Sequence, residues 1–148
     1  MFKQIIVGID GSEQSKSAAL VACDLAKHYD ATVTLVHIPH GETVGFVVGA
    51  APGYRVATTK PSFAEVEEAG QKVLDACMKT LAAADCGPVK TYMQHGDPAA
   101  EVLAYADEIG ADLIVTGRRG LGRVSSLILG STTQKINHLA KCACLSVA

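Results

Sequence analysis

The chain has 148 residues, of which 49% are apolar, with a formal net charge of −2 and five cysteines. This length predicts one domain with a single core, and the charge argues against a nucleic-acid partner, which requires a basic surface. No apolar run reaches the roughly 20 residues of a membrane helix, and the first residues lack a signal-peptide pattern. The odd number of cysteines, without framework spacing, is typical of reduced thiols. We therefore expect a cytoplasmic protein without a membrane segment.

Short apolar runs along the chain predict five β-strands. They cover residues 3–9, 32–38, 89–94, 112–116 and 142–147. Helical patterns separate the runs, and regular β-α alternation predicts a parallel sheet with right-handed crossovers. We therefore expect an α/β, Rossmann-like fold, doubly wound, with strand order 3-2-1-4-5 and helices on both faces.

Start signals and apolar spacing predict where the helices lie. Ser12 is a suitable N-cap for the first helix, and Asp97 followed by a proline predicts the start of the third. The second helix is expected over residues 62–84. Its apolar stripe is predicted to consist of Val66, Val73, Cys77 and Leu81. A fourth helical pattern follows residues 131–133.

The connection over residues 39–61 interrupts this alternation. It contains four glycines and three prolines, with Phe46-Val47-Val48 in its middle. A connection this long in a compact chain is typically functional or disordered. The apolar triplet favours a cover or a partner surface beside a ligand, and a disordered insertion is the open alternative.

Glycines and hydroxyl residues surround the fourth connection. Gly117 and Gly120 follow a buried strand, and Gly130 precedes Ser131-Thr132-Thr133 at a helix start. Glycine lets backbone N–H groups approach an anion, and the positive end of a helix dipole favours negative charge there. The spacing is neither that of a P-loop nor the dinucleotide fingerprint. The pattern predicts a phosphate cradle, with a glycine-rich surface loop as the alternative.

The end of the first strand is expected to face this cradle. Ligands of doubly wound sheets bind beyond the carboxyl ends of the strands, where the strand order reverses. In the predicted order, strands one and four are neighbours at that reversal. Asp10 could then accept from ribose hydroxyls or hold a divalent cation beside phosphates. The alternative is a local Asx turn before the first helix.

Taken together, these motifs identify a resemblance to the universal stress protein family, in its nucleotide-binding form, over essentially the whole chain. The residues that carry it are 7–12, 35–38, 96–99 and 110–115, together with the G-x2-G-x9-G-[ST] signature formed by Gly117, Gly120, Gly130 and Ser131. The resemblance implies a universal stress protein domain over residues 1–148 that binds ATP, or else AMP or ADP, with Mg or Mn.

Roles for individual residues also come from this resemblance. Asp10 would lie at the ribose and triphosphate end and contact the nucleotide-bound metal. The backbone of Gly8 and Ile38 would border the adenosine. The remaining residues would line the ribose and phosphates, or donate to phosphate oxygens: Thr116, Gly117, Gly120, Gly130, Ser131, Thr132 and Thr133. Arg118 stands where the family often has a small residue, so it either adds a phosphate contact or points to solvent.

Three functions are compatible with the motifs. The favoured one is an ATP-binding regulatory protein of the stress response, whose nucleotide sets its conformation or its choice of protein partner. A slow ATPase or nucleotide hydrolase that uses the same crevice is the alternative, although no base or water-positioning residue is evident. A nucleotide-free interaction scaffold is the third. No zinc-like ligand spacing, nucleophile elbow or Cys-x-x-Cys motif points to another chemistry.

The last strand predicts a homodimer. In the expected order it is an edge, and no residue follows Ala148 to cover it. Edge strands present unpaired backbone groups, and antiparallel pairing with a second copy would satisfy them. Many members of the resembling family dimerise in this way. The family's proline is absent between Cys142 and Cys144, and Ser146 interrupts the apolar alternation.

Overall fold

A computed structural model of the chain describes residues 1–39, 61–120 and 129–148. The strands are β1 (Gln4–Gly8), β2 (Thr32–His37), β3 (Val89–Met93), β4 (Leu113–Gly117) and β5 (Ala143–Val147), and the helices are α1 (Glu13–Tyr29), α2 (Phe63–Ala83), α3 (Pro98–Ile109) and α4 (Ser131–Leu139). Except for its two end residues, the connection predicted over residues 39–61 lies outside the described residues, so its function as a cover stays a prediction. Residues 121–128 of the cradle loop also lie outside them.

The five strands form one parallel sheet in the order β3-β2-β1-β4-β5. This is the predicted order, and it places β1 at the centre, between β2 and β4. Ile5 is opposite Val33 on one side and opposite Leu113 on the other. From β1 the chain adds β2 and β3 on one side, and it then returns to add β4 and β5 on the other side. The carboxyl ends of β1 and β4 therefore border one crevice.

Alternate residues of the central strands pack into two apolar layers, one on each face of the sheet. Ile5 and Val7 pack with α1 and α2 on one face, whereas Ile6 packs with α3 and α4 on the other. Because side chains of a strand alternate between the two faces, a strand buried on both faces reads as a continuous apolar run. The helices therefore cover both faces, as predicted.

Local capping explains where three of the described helices begin. The Ser12 hydroxyl accepts from the N–H of Ser15 at 3.1 Å, and the Asp97 carboxylate accepts from the N–H of Ala100 at 3.0 Å. Ser62 forms a capping box with Glu65 at the start of α2. Each of these contacts satisfies N–H groups that the first turn leaves without partners. The N-caps predicted for α1 and α3 are confirmed.

The apolar stripe of α2 differs from the prediction. Cys77 and Leu81 are buried as expected, but Val66 and Val73 are only partly buried, and Leu74 is buried instead. Gly70 is buried as well, and an added Cβ there would lie 2.8 Å from the Met93 sulfur. The stripe is displaced because this glycine lets the end of β3 approach the helix, which the spacing of large apolar residues did not indicate.

Asp112, directly before β4, is hydrogen-bonded to the start of β1. This contact should make the stability of the fold sensitive to acid. Its carboxylate accepts from the N–H groups of Gln4 at 2.8 Å and Lys3 at 2.7 Å. These bonds hold the pKa of Asp112 below its ordinary value of 3.8, with Gln4 the larger cause. A lowered folded-state pKa stabilises the fold above the unfolded pKa, and this stabilisation is lost as the pH falls.

We therefore expect Asp112→Asn to be less stable than the parent at neutral pH. The difference should shrink as the pH falls below 3.8, because the unfolded chain then binds a proton at Asp112 before the folded parent does. Denaturant unfolding of both proteins between about pH 2 and about pH 7 checks this, because that range spans the titration of an aspartate. A stability difference that does not change with pH would contradict the assignment.

Candidate functional site

The carboxyl ends of β1 and β4 meet at Asp10 and Gly120. One carboxylate oxygen of Asp10, Oδ1, accepts from the N–H of Ser12 at 2.9 Å, which is an Asx turn. The other oxygen, Oδ2, lies so close to Gly120 that a Cβ added to this glycine would collide with it. The Asx turn and the ligand-binding role predicted for Asp10 are therefore compatible, because the turn uses Oδ1 and the ligand would use Oδ2.

Adjacent strand ends form the wall of the same crevice. Gly8 ends β1 beside β4, where an added Cβ would lie 3.5 Å from the Thr116 methyl group. The Thr116 side chain is buried, and Ile38, directly after β2, is 7% exposed. The ring nitrogen Nδ1 of His37 lies 2.6 Å from the carbonyl oxygen of Ile9. This contact ties the end of β2 to the segment that carries Asp10.

Hydrogen bonds hold the two ends of the cradle loop together. The N–H of Gly130 donates to the Arg118 carbonyl at 2.9 Å, and the N–H of Arg118 donates to the Val147 carbonyl at 2.6 Å. The buried Thr133 hydroxyl donates to the Gly117 carbonyl at 2.9 Å. In this structure the Thr133 hydroxyl therefore fixes α4 to the end of β4, and it does not point its proton toward the crevice.

The start of α4 differs from the starts of the other described helices. Its N-cap residue, Gly130, provides no side-chain cap, and no acidic residue lies in the first turn. Each of the other three described helices has a side-chain cap and a glutamate in the first turn. Ser131 is exposed and Thr132 is half-buried, and the exposed residues Arg118 and Arg119 lie beside Gly130. The N–H groups of a first helical turn, the helix dipole and basic side chains all favour negative charge here.

Two contacts of this region were not anticipated from the sequence. Gly117 packs against the first turn of α1, where an added Cβ would lie 2.9 Å from Gln14 Cβ. Lys135 of α4 forms an ion pair with Asp97 at 3.4 Å, which joins α4 to the start of α3. Gln14 immediately follows the Asp10 turn, but only the sheet order brings it to β4.

The described residues contain no cluster of three or more histidine, cysteine or acidic side chains suited to a metal ion. Asp10 is thus a single carboxylate, which fits a metal whose other ligands come from phosphates. Burial raises the pKa of Cys142 and of Cys144, which disfavours the thiolate needed for zinc binding or nucleophilic attack. Within the same residues, no helix is long and apolar enough to cross a membrane.

Comparison with known proteins identifies the family. The family model described as "Universal stress protein family" matches residues 1–148. The chain belongs to the universal stress protein family. This universal stress protein is 32% identical over 151 residues to universal stress protein YxiE of Bacillus subtilis, with 99% of each chain covered. It is 36% identical over 151 residues, again with 99% of each covered, to a universal stress protein of Thermus aquaticus.

Solved structures of other universal stress proteins share the fold. UspA of Lactobacillus plantarum matches with a TM-score of 0.77 at 22% identity, over 99% of this chain and 98% of that one. A universal stress protein in complex with cAMP matches with a TM-score of 0.72 at 22% identity, over 99% and 97%. One from Archaeoglobus fulgidus in complex with dAMP gives 0.69 at 15% identity, over 100% and 98%. The five-stranded parallel sheet of this chain is therefore that of its family.

Proposed function

We propose that this universal stress protein acts as one domain, residues 1–148, that binds an adenine nucleotide at the carboxyl edge of β1 and β4. ATP is the proposed ligand, with AMP and ADP as alternatives, and its occupancy would regulate the protein's part in the stress response. One observation carries the proposal. Asp10 contacts Gly120 beside a helix start, that of α4, which has neither a side-chain cap nor an acidic residue.

The proposal divides the crevice into an adenosine end and a phosphate end. Gly8 and Ile38 border the adenosine, since Gly8 ends β1 and Ile38 directly follows β2 in the crevice wall. At the phosphate end, backbone N–H groups at the start of α4 and the Ser131 and Thr132 hydroxyls donate to phosphate oxygens. Thr133 has a positioning role there, because its hydroxyl holds Gly117. Arg118 adds charge at the cradle rim.

Asp10 connects the two ends. Its Oδ1 is held by the Ser12 N–H, so Oδ2 is the oxygen left for a ribose hydroxyl or for a nucleotide-bound Mg ion. Magnesium is commonly held by one or two carboxylates plus phosphates, which fits a lone aspartate beside a cradle. Such an ion would neutralise phosphate charge next to the carboxylate.

Two independent findings support an adenine nucleotide. The G-x2-G-x9-G-[ST] signature of Gly117, Gly120, Gly130 and Ser131 is complete in this chain. Universal stress proteins of the same fold have been solved with cAMP and with dAMP, both of which are adenine nucleotides.

Calorimetric titration of the full chain with ATP and Mg tests the proposal. We expect saturable binding of one nucleotide per chain, with affinity that falls when Mg is omitted, because the metal offsets repulsion between Asp10 and the phosphates. Titration without detectable binding would refute it.

We further propose that the protein is a homodimer paired through β5. In the described part of the sheet, β5 is bonded to β4 alone. The Ala143 N–H donates to the Asp112 carbonyl just before β4, and the Val147 carbonyl accepts from the Arg118 N–H just after β4. Because the polar groups of a strand alternate in direction, those of Cys144 and Ser146 face away from the sheet. They are the groups that a second β5 would pair with.

Replacing Ser146 by proline is expected to convert the dimer into a monomer. Proline removes an outward N–H and places its ring in the pairing position, while the bonds to β4 remain. Light scattering of Ser146→Pro, with Ser146→Ala as the matched control, measures the effect. Dimers in both variants would move the interface elsewhere, and a monomeric parent would refute the proposal outright.

A further inference from the structure

A side-chain amide joins the helix of the cradle to the edge strand of the sheet. The Nδ2 atom of Asn137, in α4, donates to the Thr133 carbonyl at 2.8 Å and to the Ser146 hydroxyl of β5 at 3.3 Å. One nitrogen serves both acceptors because an amide group carries two hydrogens. Asn137 is four residues after Thr133, hence on the same face of α4. The first turn of α4 is therefore connected to β5 through a single side chain.

The backbone of Arg118 provides a second connection between the same two elements. Its N–H donates to the Val147 carbonyl at 2.6 Å, and its carbonyl accepts from the N–H of Gly130 at 2.9 Å. Val147 ends β5, and Gly130 is the N-cap residue of α4. Together with the Asn137 amide, this gives two connections from the beginning of α4 to the last two residues of β5.

Ser146 contributes to both the cradle side and the dimer side of β5. Its side chain lies on the face covered by α4, as does that of Cys144, whose thiol donates to the Ile136 carbonyl of α4 at 4.0 Å. Its backbone N–H and carbonyl face away from β4, where a second β5 would pair. A change in the position of α4 relative to β4 therefore reaches the groups used in the proposed dimer.

Phosphate at the start of α4 would restrict the movement of these same residues. In the proposed function, its oxygens accept from N–H groups at the beginning of the helix, which fixes α4 relative to β4. The two connections extend this restriction to the end of β5. A strand that is already ordered loses less conformational entropy when it pairs with a second strand. Nucleotide binding should therefore favour strand pairing.

We propose that nucleotide binding in the crevice strengthens the pairing of β5 with a second copy, and that Asn137 is the positioning residue that couples the two events. This inference rests on the proposed function, that is, on a nucleotide at the start of α4 and a homodimer through β5. Coupling between two binding events is reciprocal, so the dimer must also bind the nucleotide more tightly than the monomer does. Asn137 acts through Thr133 and Ser146.

Analytical ultracentrifugation of the full chain, with and without ATP and Mg, tests the proposal. The dissociation constant of the dimer should fall about 5- to 150-fold at saturating nucleotide, the usual range for coupling between two sites. Calorimetric titration of the same samples establishes separately whether ATP is bound. Saturable ATP binding with an unchanged dimer dissociation constant, or with a chain that remains monomeric, overturns the inference and leaves the nucleotide site intact. A chain that binds no ATP overturns the proposed function, and this inference with it.

Two substitutions remove the bond between α4 and β5, one from each side. Asn137 is exposed, so Asn137→Ala should fold, bind ATP and form dimers. The dissociation constant of its dimer should change little when ATP is added. Ser146→Ala should show the same loss of coupling, because it removes the acceptor of the same hydrogen bond.

Gln71→Ala is the matched control. Gln71 also donates from a side-chain amide on an exposed helix, to the Asp75 carboxylate at 2.9 Å, but it lies on α2. This variant should keep the full effect of ATP on the dimer. A purely structural role for Asn137 would shift the dissociation constant by the same factor with and without ATP. That result, or an undiminished effect of ATP in Asn137→Ala, overturns the proposal.

Discussion

Replacing Gly117 by alanine is expected to destabilise the fold by about 1–3 kcal/mol, the usual effect of an extra methyl group in a filled site. An added Cβ would lie 2.9 Å from Gln14 Cβ, 3.0 Å from the Gln14 carbonyl carbon and 3.1 Å from the Arg119 oxygen. Two of these three atoms are backbone, so no side-chain rotation relieves the contact. The first turn of α1 and the end of β4 must therefore separate.

Gly87→Ala is the matched control for this substitution. An added Cβ at Gly87 meets no atom within 4 Å, so the alanine should be tolerated with little change in stability. Denaturant unfolding of the parent and both variants compares the midpoints. Equal midpoints for the two variants would show that α1 and β4 are not in close contact at Gly117.

The second large effect is expected on nucleotide affinity. Ser131→Ala removes a donor to a charged phosphate, a loss of about 1.5–3 kcal/mol, so ATP binding should weaken about tenfold to a hundredfold. Gly130→Leu should weaken binding at least as much, because its side chain would occupy the path by which phosphate approaches the backbone. Calorimetric titration with ATP and Mg measures both affinities.

The structure makes Gly130→Leu a specific test. Gly130 has a φ of −65°, which any residue adopts, and an added Cβ would be no closer than 3.7 Å to any described residue other than its chain neighbours. The variant should therefore fold normally and lose only the ligand. Thr80→Ala is a control for hydroxyl removal, since Thr80 donates to the Ala76 carbonyl in the last turns of α2. Affinity unchanged in Gly130→Leu and Ser131→Ala would exclude the cradle.

Features that depend on neighbouring residues in sequence were predictable. The caps at Ser12 and Asp97 were expected because capping involves residues two or three positions apart. Apolar runs predicted the five strands, and the order expected from β-α alternation, which leaves few arrangements, is the observed one. Displacement of the α2 stripe toward Leu74 was missed, because it depends on Gly70 meeting Met93 across the fold.

The candidate site was likewise predictable only in part. The predicted strand order placed the ends of β1 and β4 opposite each other, and Gly120 does lie against Asp10. The role of the Thr133 hydroxyl could not be predicted, because its acceptor is the carbonyl of Gly117, sixteen residues away. The contact of His37 with the Ile9 carbonyl was not predicted either. A histidine in a buried strand needs a polar partner, and that requirement was the available sign of its contact with Ile9.

Mass spectrometry of the purified chain under native conditions tests the proposed function most directly. After incubation with ATP and Mg, the parent should carry one adenine nucleotide per chain, and gentle denaturation should release it for identification. Gly130→Leu, folded but with its cradle blocked, should carry none. A parent that retains no nucleotide, or a Gly130→Leu variant that retains as much as the parent, would contradict nucleotide binding between β1 and β4.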